Sequence, residues 1–166
     1  MGAFVVMGVS GCGKTTVARA LAEKTGGLYL DADDFHPSAN KEKMAAGIPL
    51  TDEDRWGWLD ALNAALKSPE VPTRPVFLAC SALKQVYRDR LSNEVPGLRF
   101  FYLKGSKECI RKRLEARKSH FMSPALLDSQ FAILEEPRDA IVLDVEKTPA
   151  EVVGEALRSA GFRVGS

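Results

Sequence analysis

The chain has 166 residues, 45% of them hydrophobic and 27% charged, a balance that supplies a packed core and excludes intrinsic disorder. Lys and Arg number 23 against 22 Asp and Glu, a net charge of +1, so there is no long-range field to draw the chain onto a nucleic-acid backbone or an anionic membrane, and neither partner is expected. Apolar runs such as 3–7 and 75–80 fall far short of the ~20 residues that span a bilayer, no secretory signal opens the chain, and Cys12, Cys80 and Cys109 lack CxxC spacing and read as reduced thiols without a metal role; a cytoplasmic protein is expected.

Extended and helical patterns alternate from end to end, with no linker or repeat between them, which predicts one α/β domain over 1–166. Ala3-Phe-Val-Val-Met7 is wholly apolar and rich in β-branched residues, as a parallel strand covered on both faces must be. From Lys14 the spacing turns helical through Val17, Ala20, Leu21 and Lys24, until Gly26-Gly27 stops it. Leu28-Tyr-Leu30 reads as strand two. A long polar stretch follows, Asp31 to Asp52, with one short helix around 40–46; connections of this length in compact domains are usually functional. Thr51-Asp-Glu-Asp54 has capping-box form, with Asp in place of the usual Glu, and Trp56, Leu59, Leu62 and Leu66 give the next helix its apolar face. On this pattern Trp56 lies in the core and Trp58 flanks a cleft.

Strand three is Val76-Phe-Leu-Ala-Cys80, followed by a helix over about 82–91 and the breaker Pro96-Gly97. Strand four is Arg99-Phe-Phe-Tyr-Leu103. Ser106 is placed to cap a helix that carries Arg113 and Arg117 on one face, while Arg111, Lys112 and Lys118 read as a solvated charge run. A polar segment over 118–124 leads into a helix around 125–134, Ala140-Ile-Val-Leu143 forms strand five, and Pro149 opens a last helix. Five strands separated by helices make a parallel sheet with right-handed crossovers, so ligands bind in the loops beyond the carboxyl ends of the strands.

Gly8-Val-Ser-Gly-Cys-Gly-Lys-Thr15 matches G-x-x-x-x-G-K-[ST] at every fixed position, between a strand and a helix. Gly8, Gly11 and Gly13 let the backbone N–H groups of the loop, those of Ser10 and Cys12 included, turn inward onto phosphate, and the helix N-terminus adds positive potential. Lys14 is expected to reach the β- and γ-phosphates of ATP and the Thr15 hydroxyl to ligate Mg²⁺. Thr16 and Cys12 belong to the same nucleotide-binding stretch, Thr16 as a packing neighbour and Cys12 as a small filler within the loop.

Phosphate binding alone does not separate a kinase from a switch or a motor. The chain has no N-K-x-D guanine signature and no apolar run ending in an acidic pair. It has instead Asp31-Ala-Asp-Asp-Phe-His-Pro37 directly after strand two. Alternate residues there send Asp31 and Asp33 to one side, where one carboxylate serves the magnesium and the other accepts a proton from an attacking hydroxyl. An acidic turn without chemistry is the competing reading.

These segments, together with Asn40-Lys-Glu-Lys-Met44, Gly47-Ile-Pro-Leu50, Cys80-Ser-Ala-Leu-Lys84, Tyr87-Arg88-Asp89, Lys118-Ser-His-Phe-Met122, Ser129-Gln-Phe131 and Leu134-Glu-Glu-Pro137, resemble the gluconokinases of the shikimate-kinase-like type. The resemblance runs from Phe4 to about Leu143, with Ser119 where the family often has Gly. It implies a nucleoside-monophosphate-kinase-like P-loop fold of three α/β/α layers, with sheet order 2-3-1-4-5, an acceptor-binding segment at about 31–58 and a lid at about 118–137. It also implies ATP and Mg²⁺ as cofactors, D-gluconate as substrate, 6-phospho-D-gluconate as product, and a homodimer. A related kinase acting on shikimate or a nucleotide is the alternative, and Cys80-Ser-Ala82 departs from the Gly-Gly-Gly of shikimate kinases. A non-catalytic nucleotide-binding module is the other.

Carried over by position, the resemblance gives Asp33 the gluconate 6-hydroxyl and Asp31 the metal side, although the two are exchangeable. Arg55 is the candidate for the gluconate carboxylate, against a surface pair with Asp52 or Asp54. His36 is placed to hydrogen-bond the polyol or to hold its own loop, and Ser81 and Lys84 face the same cleft. Arg88 either joins them or pairs with Asp89 or Glu94. Arg113 and Arg117 are expected on the nucleotide, with Arg117 among the catalytic residues beside Lys14 and Asp33, and His120 in the lid over the reacting groups. Gln130 faces substrate or is an ordinary exposed helix position.

Overall fold

The computed structural model describes residues 2–68, 73–116 and 124–162. Five strands, β1 (Ala3–Met7), β2 (Leu28–Asp31), β3 (Val76–Ala79), β4 (Arg99–Lys104) and β5 (Ile141–Asp144), form one parallel sheet in the expected order β2-β3-β1-β4-β5. The helices among the described residues are α1 (Lys14–Thr25), α2 (Ser38–Ala45), α3 (Asp52–Leu66), α4 (Gln85–Ser92), α5 (Lys107–Ala116), α6 (Pro124–Ile133) and α7 (Pro149–Ser159). None of them is long and apolar enough to cross a membrane.

The apolar strands are buried because each serves two cores. Successive side chains of a strand point to opposite faces, so Phe4 and Val6 of β1 pack with Leu21 of α1 and Val152 and Ala156 of α7. Val5 and Met7 pack with Leu59 and Leu62 of α3 and Leu91 of α4. Phe4 also stacks on Phe77 of β3 at 5.1 Å and Phe101 of β4 at 5.3 Å, contacts worth about 0.5–1.5 kcal/mol each beyond the area they bury. The register pairs Val6 and Asp31 with the same Ala79. The loops after β1, β2 and β3 therefore leave the carboxyl edge of the sheet side by side.

The helix ends follow the sequence signals. Thr51 Oγ accepts from Asp54 N at 3.1 Å while Asp54 Oδ2 accepts from Thr51 N at 2.9 Å, so Asp completes the capping box in place of Glu. Ser106 Oγ caps α5 by accepting from Cys109 N, and Pro149 opens α7 behind a Thr148–Glu151 box. Two details differ from expectation. α4 starts at Gln85 rather than near Ala82, because Ala82 is left-handed at φ 46°, a conformation that costs a non-glycine residue ~1–2 kcal/mol and cannot open a helix. The tryptophans exchange places. Trp58, 5% exposed, lies in the core with Leu59, Leu62 and Leu66, and Trp56 is half-buried between the Tyr87 edge and the Arg90 guanidinium. Trp58 tolerates burial because its Nε1–H donates to Ala32 O at 2.7 Å, leaving no unpaired donor.

Candidate active site

The first wall of the site is the loop between β1 and α1. Gly8 has φ 149° and Gly11 φ 84°; a Cβ on Gly8 would lie 2.7 Å from Cys12 Sγ and 3.0 Å from Leu103 O, and one on Gly11 2.7 Å from the Leu114 side chain. Only glycine fits either position, in conformation and in space. Gly13 is the left-handed N-cap residue of α1 and brings no side chain of its own to the cap, so the first N–H groups of the helix are left for a ligand. Lys14 Nζ curls over the loop and donates to Gly8 O at 3.0 Å and Val9 O at 3.1 Å. Thr15 and Thr16 are exposed on the first turn, so Thr16 is not the packing neighbour expected of it. Cys12 is the buried filler under the loop.

The second wall is the turn after β2, a short 3₁₀ segment over Ala32–Phe35. Asp31 caps it: Oδ1 accepts from Asp33 N at 2.9 Å and Oδ2 from the Tyr29 hydroxyl at 3.1 Å. Tyr29 in turn lies beside Thr15. Asp33 opens into the cleft, yet protein around its carboxyl and the neighbouring charge of Asp31 raise its pKa above the ordinary range. Lys14 and His36 offset only part of this.

The third wall is built by α3. Asn40 donates to Asp54 O at 2.9 Å, which orients its amide and sends the second N–H toward His36 Nδ1 at 3.3 Å. His36 Nδ1 is therefore the acceptor, and the ring proton sits on Nε2. The imidazole stacks on Trp58 at 4.2 Å, and burial first, then the nearby Arg55 and Lys41, lower its pKa despite the opposing charge of Asp33. It is a neutral donor at neutral pH. Arg55 donates to Leu50 O at 3.3 Å and lies over the Tyr87 ring at 5.2 Å, while its Nε is buried without a partner among the described residues. Asp54 is bound by Lys43 at 2.8 Å and Asp52 by Lys84 at 3.1 Å, so among the described residues neither carboxylate forms the surface pair that Arg55 was allowed. A buried unpaired guanidinium N–H is costly unless something fills it.

A family model described as Shikimate kinase matches residues 10–160. The chain is 43% identical over 158 residues to the thermoresistant gluconokinase of Escherichia coli, covering 93% of this chain and 90% of that one. It is 43% identical over 158 residues to the gluconokinase of Gluconobacter oxydans, covering 93% and 89%. It belongs to the gluconokinases. A crystal structure of a gluconokinase from Sinorhizobium meliloti superposes with TM-score 0.88 at 44% identity over 96% of this chain and 91% of that chain. Shikimate kinase from Aquifex aeolicus, at TM-score 0.60 and 16% identity over 96% of both chains, shares the fold.

Within this kinase, several residues expected at the substrate are engaged by the protein. Arg88 is 3% exposed and donates to Ala82 O and Glu135 O, both at 2.6 Å, and to Gln85 Oε1; a guanidinium held this way is a structural tie and not a free ligand group. It pairs with neither Asp89 nor Glu94, because backbone carbonyls reach it first inside the fold. Gln130 is not an idle helix position: its Oε1 accepts from Ser10 N at 2.7 Å and its Nε2 donates to Ser10 Oγ at 3.0 Å, docking α6 on the phosphate loop. Ser81 is half-buried, and its carbonyl accepts from Gly8 N at 3.3 Å. Lys84 enters the cleft region paired with Asp52. Arg113 donates to Val145 O on the flank of α5. Arg117, Lys118 and His120 lie outside the described residues.

Tyr87 and Asp52 stand in the segments that resemble the family, but the sequence assigns neither a role at the site. The Tyr87 hydroxyl makes a short hydrogen bond to Asp52 Oδ1, and its ring lies under Arg55 and Lys84. The available signal was the i, i+3 spacing of Lys84 and Tyr87 across the start of α4, where an N-cap side chain and that of the third helical residue come together. A separate cleft of about 700 Å³ runs past Arg88, Leu98, Arg99, Glu135 and Arg138. It contains none of Lys14, Asp33 and Arg55. Cys80, buried near Lys14, Asp33 and Arg55, has its thiol pushed up to about 12, first by burial, which makes it inert filling rather than a nucleophile.

Proposed function

We infer that this kinase transfers the γ-phosphoryl of ATP to the 6-hydroxyl of D-gluconate, giving 6-phospho-D-gluconate and ADP. The observation that carries the reading is one cleft holding a phosphate loop with Lys14, a carboxylate of raised basicity at Asp33, and an unfilled guanidinium at Arg55. Asp33 accepts the hydroxyl proton as the oxygen attacks phosphorus. Lys14 leaves its loop carbonyls for the phosphate oxygens and stabilises charge as it develops. Arg55 takes the gluconate carboxylate, and the His36 Nε2–H donates to a polyol oxygen between the two ends. Asp31, oriented by one hydrogen bond to each oxygen, from Asp33 N and from Tyr29, keeps a further lone pair on each and suits the metal side better than proton transfer. The donors fit Mg²⁺, which uses few protein ligands and keeps waters and phosphate oxygens: Thr15 and Asp31 would hold it, and it supplies neutralisation of the phosphate charge. Arg113 and Arg117 are proposed on the nucleotide and His120 over the reacting groups.

A coupled assay of ADP release with Mg²⁺-ATP, offering D-gluconate beside shikimate, adenylate and no acceptor, tests the reading: turnover with gluconate alone is expected, and equal background with all four would end it. Arg55→Lys is expected to raise the gluconate KM by about 10–100-fold with a smaller change in kcat, since one point charge replaces a two-pronged donor. An unchanged KM would leave Arg55 as a wall residue. The pH profile carries a sign. Asp33 must be ionised to accept a proton and its pKa is raised, so gluconate kcat/KM is expected to fall on acidification through an apparent pKa above the usual aspartate range of ~4. The family resemblance also carries the proposal of a cytoplasmic homodimer, which sedimentation velocity of the purified chain checks for assembly.

A further inference from the structure

The loop from Cys80 to Lys84, which brings Ser81 and Lys84 to the cleft, has little of its own to hold it. Ala82 is left-handed at φ 46°, and Lys84, the N-cap of α4, brings no side-chain cap. What holds the loop comes from the segment after α6, fifty residues away. Glu135 Oε1 accepts from Gln85 N at 2.8 Å and supplies the missing cap in trans, a carboxylate at the positive end of the helix. Glu135 N donates to Leu83 O at 2.8 Å. Glu135 O accepts from Arg88 Nη2, and the other arm of that guanidinium closes on Ala82 O, both at 2.6 Å. The backbone of one residue and its side chain thus bind the loop at Leu83 and Gln85 directly, and at Ala82 through Arg88.

The same segment reaches the other side of the cleft. Gln130, one turn and a link before Glu135, exchanges two hydrogen bonds with Ser10 of the phosphate loop. Gly8 N donates to Ser81 O and closes the circuit between the two loops. We propose that Glu135 is a positioning residue for phosphoryl transfer: it fixes the acceptor loop over Ser81–Lys84 in register with the phosphate loop, and so couples the acceptor side of the cleft to the segment that docks on the nucleotide side. It touches no reacting atom. Its action runs through the α4 N-terminus and the Ala82 conformation. This rests on the gluconokinase reading for its kinetic signature and on the contacts alone for its structural one.

The test compares Glu135→Ala with Glu135→Gln in the full chain. The Ala variant loses the acceptor at Gln85 N but keeps the backbone bonds, whereas Gln keeps an oxygen in the same place. Glu135→Ala is expected to lower gluconate kcat/KM by about 10–100-fold, the cost of small misplacements at a reacting centre, mainly through the gluconate KM, with the ATP KM within about twofold. Glu135→Gln is expected within about threefold of the parent, since a neutral acceptor is roughly half as strong as a charged one. Amide hydrogen exchange across 83–88 is expected to quicken in the Ala variant and to stay near parental rates in the Gln variant, whatever acceptor the enzyme uses. Parental exchange in the Ala variant, an equal loss of kcat/KM in both variants, or a parallel rise in the ATP and gluconate KM values would each overturn the proposal. A parent protein without gluconate turnover would sink the functional reading instead, and the exchange comparison would still decide whether Glu135 holds the loop.

Discussion

Asp33→Asn is expected to reduce kcat by about 10²–10⁴, the usual share of a positioned general base, while nucleotide affinity stays near that of the parent. Two observations favour Asp33 over Asp31 for this role. Asp31 spends one oxygen on Asp33 N and the other on Tyr29, so removing it would disturb the turn itself. The Asp33 carboxyl has its ionised form disfavoured by surrounding protein and by Asp31. A carboxylate made uncomfortable in this way is the better base. Stability gives an independent sign. The folded-state pKa of Asp33 is raised, so between the unfolded and folded values the folded protein binds the extra proton and stability falls as pH rises. At neutral pH the ionised carboxylate is a small liability that Asn removes. The variant is therefore expected to combine its lowered kcat with a Tm at or above that of the parent. Single-turnover kinetics with differential scanning calorimetry would check this, and near-parental turnover would remove Asp33 from the mechanism.

Lys14→Ala is expected to lower kcat/KM for ATP by about 10²–10³, the scale for removing one preorganised donor to developing charge. The present contacts of Lys14 explain why the loss falls on function and not on folding. Its ammonium is held by Gly8 O and Val9 O, carbonyls of a loop whose shape is set by Gly8, Gly11 and Gly13. Alanine leaves that backbone intact. Titration calorimetry with the ATP complex of Mg²⁺, alongside turnover, would show weak binding and slow transfer in a protein that melts normally; unchanged kinetics would overturn the phosphate-loop assignment.

Local signals in the sequence carried most of the fold. The apolar runs of β1, β3 and β4, the Thr51 and Thr148 boxes, and the glycine spacing of the phosphate loop each state a backbone preference that needs no distant partner. The sheet order came with the family resemblance, which the relatives and the superposed structures bear out. The candidate site was legible where chemistry and position coincide in one segment, as at Lys14, Asp31, Asp33 and Arg55. It was less so at Arg88, Gln130 and the two tryptophans. Arg88 carries the charge and the spacing of a ligand residue, yet its guanidinium goes to carbonyls at Ala82 and Glu135.

By itself, then, the sequence determined the elements, the phosphate-binding chemistry and the acidic turn, because those depend on residues within a few positions of one another. Tertiary structure alone decided which cations remain available: Lys43 and Lys84 are taken by Asp54 and Asp52, and the Arg55 Nε is left without a partner among the described residues. It also decided that Glu135 caps a helix fifty residues away and that Trp58 rather than Trp56 supports His36. The physical reason is the same in each case. A hydrogen bond or ion pair goes to whichever partner packing brings within about 3 Å, and packing joins segments whose separation along the chain carries no local signal.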